Sequence, residues 1–300
     1  MQRMERMERI TSRQNAIVKR FRDVARASRG AAPVGRAEHH GRGGDAGEIL
    51  LDGAHLVEEA LACDVPIDVA AFSDRQIDNV LSPLSRLARA VRTHGGKPLL
   101  VSDSVLAAIS PVQQRSGVVA IARARATDVS AVFAAARTPG PHLPVVFVLA
   151  GLQDPGNVGA IVRTAAGFAA AGVVAIEGTA NPFSWKALRG AMGGTFRLPV
   201  AARGTLTDVI ASAKRERVRL AAAVPRGGTP LPRVDFREPI ALILGAEGGG
   251  IAEPALEAAH ETVTIPMHAP IESLNVAIAA AVILYEATRQ RGIRTDGSVR

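Results

Sequence analysis

Six short runs dominated by apolar residues recur along the second half of the chain: Val145–Ala150, Val173–Ile176, Leu198–Val200, Arg219–Val224, Ile240–Leu244 and Thr262–Ile265. Helix-length segments separate most of them. Strands of this kind, apolar without strict alternation, are buried on both faces, and alternation with helices implies a largely parallel sheet covered on both sides. Only 3% of the residues are aromatic, so the core must be built from Ala, Val, Leu and Ile. Three hundred residues exceed one typical core and suit two domains.

A smaller α/β pattern precedes that sheet. Strands are expected at Ile49–Leu51, Ile67–Phe72, Pro98–Val101 and Gly117–Ala122, with helices at Ala54–Ala62, Leu84–Val91 and Ser104–Ile109 between them. Further upstream Ser12 is expected to cap a helix with Ile17, Phe21 and Val24 on one face and Lys19, Arg20, Arg22, Arg26 and Arg29 off it. Gly30 to Gly47 lacks periodicity and reads as a loop, with His39 and His40 solvated rather than metal-bound. Arg123 to Leu143 is rich in Ala, Arg and Pro and ends in Thr138-Pro139-Gly140-Pro141, which reads as a linker. The expected organisation is a domain over 1–122, a linker over 123–143 and a second domain over 144–295.

The charge of the chain is an arginine charge: 36 basic residues face 28 acidic ones, and only Lys19, Lys97, Lys186 and Lys214 are lysines. Residues 1 to 30 hold nine basic and three acidic side chains. Such a footprint suggests a polyanionic partner, against the plainer reading of a solvated basic helix face. Cys63 is the only cysteine, which excludes an internal disulfide or paired-cysteine metal site and fits a reducing cytoplasm. The opening Met, Glu and Arg alternation is no secretory signal, and no apolar run approaches a membrane span. A soluble protein without metal is expected.

Two segments concentrate possible chemistry. On an ideal helix Gly156, Arg163 and Gly167 share a line flanked by Gly159 and Ala160, so one guanidinium stands on a bare face. Either a large partner approaches that face or the glycines serve helix packing. Farther on, the strand ending at Leu244 runs into Gly245-Ala246-Glu247-Gly248-Gly249-Gly250, and a second strand end leads through Glu272-Ser273-Leu274-Asn275 into an apolar helix. Two loops rich in backbone donors could therefore close on one small ligand. Neither a Gly-x-Gly-x-x-Gly nor a Gly-Lys-Ser fingerprint is present, which disfavours a Rossmann or P-loop enzyme. Ser273 and Asn275 precede a helix, and capping alone accounts for one of them. That last helix is apolar almost all round, so it is either central or covered by a second subunit.

Three ordered motifs carry a resemblance. They are Asp154-Pro155-Gly156-Asn157-Val158-Gly159-Ala160-Ile161-Val162-Arg163-Thr164-Ala165, Leu242-Ile243-Leu244-Gly245-Ala246-Glu247-Gly248, and Ile265-Pro266-Met267 through Glu272-Ser273-Leu274-Asn275-Val276. Together with Ala187–Gly193 and Phe196–Val200 between them, they resemble the SpoU family of the SPOUT superfamily of RNA ribose 2′-O-methyltransferases, over Val145 to Arg289. Ile10–Asn15 and Leu51–Ala60 resemble, less strongly, the RNA-binding extension of the ribosomal RNA members. The resemblance implies an α/β parallel-sheet SPOUT domain with a trefoil knot, a smaller N-terminal α/β RNA-binding domain, S-adenosylmethionine as cofactor and a homodimer. It implies that Arg163, Asn157, Glu247, Ser273 and Asn275 carry the chemistry. Leu244, Gly245, Ile265, Met267 and Leu274 would hold the cofactor.

The reaction needs a ribose hydroxyl aligned with a methyl-sulfonium and relieved of its proton. A guanidinium stays protonated to about pH 12, so Arg163 is read as gripping a phosphate and stabilising the developing oxyanion rather than as a base. The sequence reading is methyl transfer to a ribose 2′-hydroxyl, in large-subunit ribosomal RNA, by a cytoplasmic enzyme. Its competitors are the same chemistry on transfer RNA and a non-catalytic RNA-binding or ribosome-assembly protein. Three departures from the family pattern stand out: His268-Ala269-Pro270 in a turn where glycine is common, Trp185 in place of proline, and Ala277 in place of serine.

Overall fold

The computed structural model describes residues 7–27, 45–77, 82–112, 116–246 and 249–292. The first half runs β1 (Glu8–Ile10), α1 (Ala16–Ala27), β2 (Asp45–Asp52), α2 (Ala54–Ala62), β3 (Ile67–Ser73), α3 (Pro83–Thr93), β4 (Lys97–Val101), α4 (Asp103–Ile109) and β5 (Val118–Arg125). Its sheet has the order β1-β4-β3-β5-β2. Strands β1, β4 and β3 are parallel, and β5 pairs antiparallel with β3 and β2. Strand β1 escaped the sequence reading because only Ile10 of its three residues is buried, too little to make a pattern.

Helix α1 buries Val18, Phe21, Val24 and Ala25. Asn15, not Ser12, forms its start: the Asn15 side-chain oxygen accepts from Ile17 N at 2.9 Å, and Ser12 Oγ accepts from Gln14 N one turn earlier. Both types suit a cap, and the register of the apolar face decides between them. The expected loop with His39 and His40 lies mostly outside the described residues, and Asp45 to Gly47 already belong to β2.

The second half runs α5 (Val129–Arg137), β6 (Leu143–Ala150), α6 (Pro155–Gly167), β7 (Ala170–Ile176), α7 (Trp185–Ala191), β8 (Val200–Gly204), α8 (Leu206–Glu216), β9 (Arg219–Ala223), β10 (Thr229–Pro230), β11 (Ile240–Gly245), α9 (Glu253–Glu257), β12 (Glu261–Thr264) and α10 (Val276–Arg291). Single 3-10 turns occupy Gly194–Phe196 and Leu231–Arg233. The seven strands are parallel throughout, in the order β10-β12-β9-β11-β6-β7-β8. Every residue of β6 from Leu143 to Leu149 is buried, as is β11 from Ile240 to Leu244, which is why these strands read as unbroken apolar runs.

The linker expected over 123–143 is corrected. Strand β5 continues to Arg125, and α5 buries Val132, Phe133 and Ala136 against Val146, Val148, Ala171 and Val174 of the second sheet. Proline and glycine at 139–141 end this helix after Arg137 without preventing it. Strand β8 likewise starts at Val200 and not Leu198, with Pro199 contributing only its carbonyl, which accepts from Val173 N at 3.0 Å.

The two halves touch directly. Helix α7 lies on β2, and Trp185 packs, half-buried, on the apolar cluster of Ile10, Val18 and Phe21 in the first domain. Its ring gives that cluster apolar cover from the start of α7. No described helix is long and apolar enough to cross a membrane.

Candidate active site

In the second sheet β6, β7 and β8 build outward on one side of β11 while β9, β12 and β10 build on the other. Such a reversal leaves a crevice beyond the carboxyl ends of the strands. A cleft of about 760 Å3 opens there, at the ends of β9, β11 and β12. Leu244, Gly245, Ile265, Met267, Ser273 and Leu274 all line it. The structure thus brings the five residues expected around a cofactor into one cavity, with Ser273 on its rim.

The glycine loop after β11 folds back on itself. Ala246 and Gly250 form an isolated antiparallel bridge, with Ala246 N donating to Gly250 O at 3.1 Å and Gly250 N to Ala246 O at 3.0 Å. A Cβ on Gly245 would lie 2.4 Å from the Gly250 oxygen, so only glycine fits at this point of the cleft wall. Glu247 and Gly248 lie outside the described residues.

Helix α6 leaves the adjacent strand. Its cap is Asp154, whose Oδ1 accepts from Gly156 N at 3.0 Å and from Lys186 Nζ at 3.0 Å; Pro155 sets the first helical position. The Gly156 amide, followed by the Lys186 ammonium, holds the Asp154 carboxyl below the usual carboxylate range. Asn275 caps α10, its Oδ1 accepting from Ala277 N at 2.9 Å and Ile278 N at 3.3 Å, while its Nδ2 donates to Asn157 Oδ1 at 3.0 Å. Capping therefore explains Asn275, and the same side chain ties the start of α10 to the first turn of α6. Leu274, its neighbour in sequence, lies in the cleft wall.

Arg163 is exposed on α6 and, among the described residues, makes no hydrogen bond or ion pair. The glycine line divides between the two readings given above. Gly159 is taken by helix packing, since a Cβ there would lie 2.3 Å from the Ala187 oxygen and 3.0 Å from Gly190 Cα. Gly167 has open space beside it. Neither Arg163 nor Asn157 lines the cleft; they stand on the neighbouring helix. The turn at His268 is exposed, its carbonyl accepting from Ile271 N at 3.2 Å.

Sequence reasoning missed the β9 side of the cleft, where Ala223, Val224, Pro225 and Arg226 line it. Only strand order reveals that β9 neighbours β11. Arg226 approaches Glu272 to 3.7 Å, both side chains largely exposed.

These features describe an α/β fold with a cofactor-sized cleft near a helix that exposes one arginine. Residues 144–285 match the model of the SpoU rRNA methylase family. An uncharacterized tRNA/rRNA methyltransferase of Synechocystis is 35% identical over 94% of both chains. The 23S rRNA (guanosine(2553)-2′-O)-methyltransferase RlmP of Bacillus subtilis is 30% identical over 79% of this chain and 86% of its own length. The crystal structure of AdoMet-bound rRNA methyltransferase from Sinorhizobium meliloti superposes with a TM-score of 0.74 at 26% identity, covering 94% of this chain and 98% of that one. The chain belongs to the SpoU rRNA methylase family and is an S-adenosylmethionine-dependent RNA methyltransferase with the SPOUT α/β fold.

Proposed function

We propose that this enzyme methylates a ribose 2′-hydroxyl in large-subunit ribosomal RNA, acting as a homodimer in the cytoplasm. The observation that carries the reading is the cleft at the ends of β9, β11 and β12, lined by Leu244, Gly245, Ile265, Met267 and Leu274, beside a helix presenting Arg163. Its volume of about 760 Å3 falls within the roughly 300–1,000 Å3 of small-molecule sites. Leu244, Ile265 and Leu274 offer an apolar seat for an adenine, and Arg226 and Glu272 offer opposite charges to an amino acid's carboxylate and ammonium. The cleft therefore suits S-adenosylmethionine, which supplies an electrophilic methyl group when bound.

The chain's own residues do the rest. Arg163 grips the phosphate beside the target ribose and stabilises the oxygen as its proton leaves, because a fork-shaped, permanently charged donor costs no reorganisation at that moment. Asn157 and Asn275 hold α6 and α10 in register, so the cleft and the arginine keep a fixed separation. Ser273, one of the residues lining the cleft, would hydrogen-bond substrate or cofactor, and Glu247, in the glycine-rich segment after Leu244, would supply a carboxylate to the reaction. The trefoil knot implied by the resemblance would involve the chain between β11 and α10.

The N-terminal domain over residues 1–122 favours ribosomal RNA over transfer RNA, because RlmP, a relative named for 23S rRNA, aligns over 79% of this chain, well beyond the methylase segment. Large, folded RNA is recognised by phosphates and shape, which a second basic surface supplies. Tritiated methyl transfer to unmodified ribosomal RNA and to bulk transfer RNA in parallel tests this choice. Label in ribosomal RNA is expected; label in transfer RNA alone would reverse the choice, and cofactor binding without label in either would favour the binding-protein reading.

The dimer rests on α10. It buries Val276, Ala280, Ile283, Leu284 and Ala287 but leaves Ile278, Val282 and Tyr285 exposed, the last at 65%. These three lie at i, i+4 and i+7, one continuous apolar stripe that a second copy would cover. Tyr285→Asp is expected to shift the protein to a monomer in sedimentation velocity; an unchanged dimer would place the interface elsewhere.

A further inference from the structure

One short loop of the transferase domain is held between the N-terminal domain and the helix that carries Arg163. Helix α7 ends at Ala191, and Met192 and Gly193 follow with φ of 48° and 86°. These left-handed residues reverse the chain into the turn at Gly194–Phe196, after which comes Arg197. Gly193 faces α2 of the N-terminal domain, where a Cβ would fall 2.5 to 2.8 Å from Glu59 side-chain atoms. Arg197 Nε and Nη2 both reach Glu59 Oε2 at 2.7 Å. Gly194 faces the opposite way. A Cβ there would lie 3.2 Å from Arg163 Cα, from the Val162 oxygen and from Ala166 Cβ.

We infer that Glu59 is a positioning residue for the transferase site: its contact with Arg197 seats the Gly193–Gly194 turn against α6 and so fixes where Arg163 is presented. This inference rests on the reading of Arg163 as the group that meets the RNA. Gly194 lies close enough to α6 that a Cβ would crowd it, and closely packed elements transmit a displacement because they absorb little of it. Glu59 is one-fifth exposed and Arg197 about half, so the pair contributes little to folding as an ion pair. What it fixes is geometry. Trp185, packed on the first domain from the start of the same helix α7, holds the other end of the connection. The N-terminal domain is accordingly part of the reacting apparatus, and RNA that displaces or tightens it is felt at Arg163.

The test uses the full chain with Glu59→Ala, Glu59→Gln, Arg197→Glu and the double exchange Glu59→Arg/Arg197→Glu. For each, kcat and KM for ribosomal RNA are measured together with calorimetric cofactor affinity and amide hydrogen exchange of the RNA-free protein. A misplacement of about 1 Å costs up to roughly a hundredfold, so the single variants are expected to lose about tenfold or more in kcat. KM and cofactor affinity should stay within about twofold. The exchange variant should recover most of the rate, and exchange over 160–166 and 192–197 should rise in Glu59→Ala. An unchanged kcat, a change confined to KM, or a double exchange no better than the single variants would overturn the inference. If the unaltered enzyme labelled no RNA, the function proposed above would fail by itself; unchanged exchange at 160–166 in Glu59→Ala, or in Glu59→Gln should the alanine variant not fold, would still overturn the positioning role.

Discussion

The arginines of the first domain and Arg163 of the second are chemically identical and differently employed. Arg20 is shared between Glu48 and Asp68, Arg123 also reaches Asp68, and Arg9 reaches Asp74. Asp68, held by the Arg20 and Arg123 guanidiniums against the cost of its burial, stays below the usual carboxylate range. Arg163 has no such partner among the described residues. A guanidinium already matched to a carboxylate has most of its field cancelled, whereas an unmatched one presents it whole to an incoming phosphate. Several arginines of this chain are thus spent on surface pairing, whereas Arg163 keeps its donors available.

The sheets differ in the same spirit. The seven-stranded sheet is parallel, so all its strands deliver their carboxyl ends to one edge, and the cleft opens there. The five-stranded sheet mixes directions, and the buried Asp52 at the end of β2 is answered locally by Ser110 Oγ at 2.7 Å and Ser116 Oγ at 3.2 Å. One sheet ends in an open cleft, and the other closes its buried carboxylate with local hydroxyls.

The largest expected effect breaks the architecture of the parallel sheet. Phe133→Ala should cost about 3–5 kcal/mol in urea unfolding, because α5 belongs to that domain's core; a change below 1 kcal/mol would restore the linker view of this segment. Next comes Arg163→Ala, expected to lower kcat by about 10²–10³-fold with cofactor affinity unchanged. Arg163→Lys, which keeps charge but not the fork, should also fall well below the parent; nearly full turnover would argue against a fork-shaped contact. Gly245→Ala introduces a Cβ 2.4 Å from Gly250 O, and overpacking of this kind costs about 1–3 kcal/mol. Calorimetry should show cofactor affinity weakened about tenfold or more by that change, while RNA affinity persists.

The smallest effect concerns pH. The folded Asp154 carboxyl lies below its ordinary range, so the folded state binds that proton more weakly than the unfolded chain does. Its contribution is complete above the ordinary carboxylate range and is lost as pH falls through the lower, folded value. Half exposure limits it to under about 1 kcal/mol. Thermal melts of Asp154→Asn and the parent should therefore differ at neutral pH and converge in acid; a constant difference at all pH values would contradict the capping role.

Much of this was legible in the sequence. Strands buried on both faces read as apolar runs, and β6, β7, β9 and β11 fall where the runs lie. Leu244, Gly245, Ile265, Met267 and Leu274, picked out from two separate motifs, line one cleft. What stayed hidden depends on neighbours remote in sequence. Strand order alone places Arg226 in the cleft, and the contact of Glu59 with Arg197 spans 138 residues. The helix α5 was concealed by the proline and glycine that end it. A knot leaves no signature in periodicity, and folding rules argue against one in general.

The central claim is methylation at a ribose oxygen, and the most direct measurement is alkaline digestion of ribosomal RNA labelled with tritiated methyl groups by the enzyme and by Arg163→Ala. A ribose 2′-O-methyl group blocks cleavage of its own linkage. The label is expected in an alkali-resistant dinucleotide from one position, and is expected to be lost with Arg163→Ala. Label released as a mononucleotide would mean that a base is the acceptor, and would contradict it.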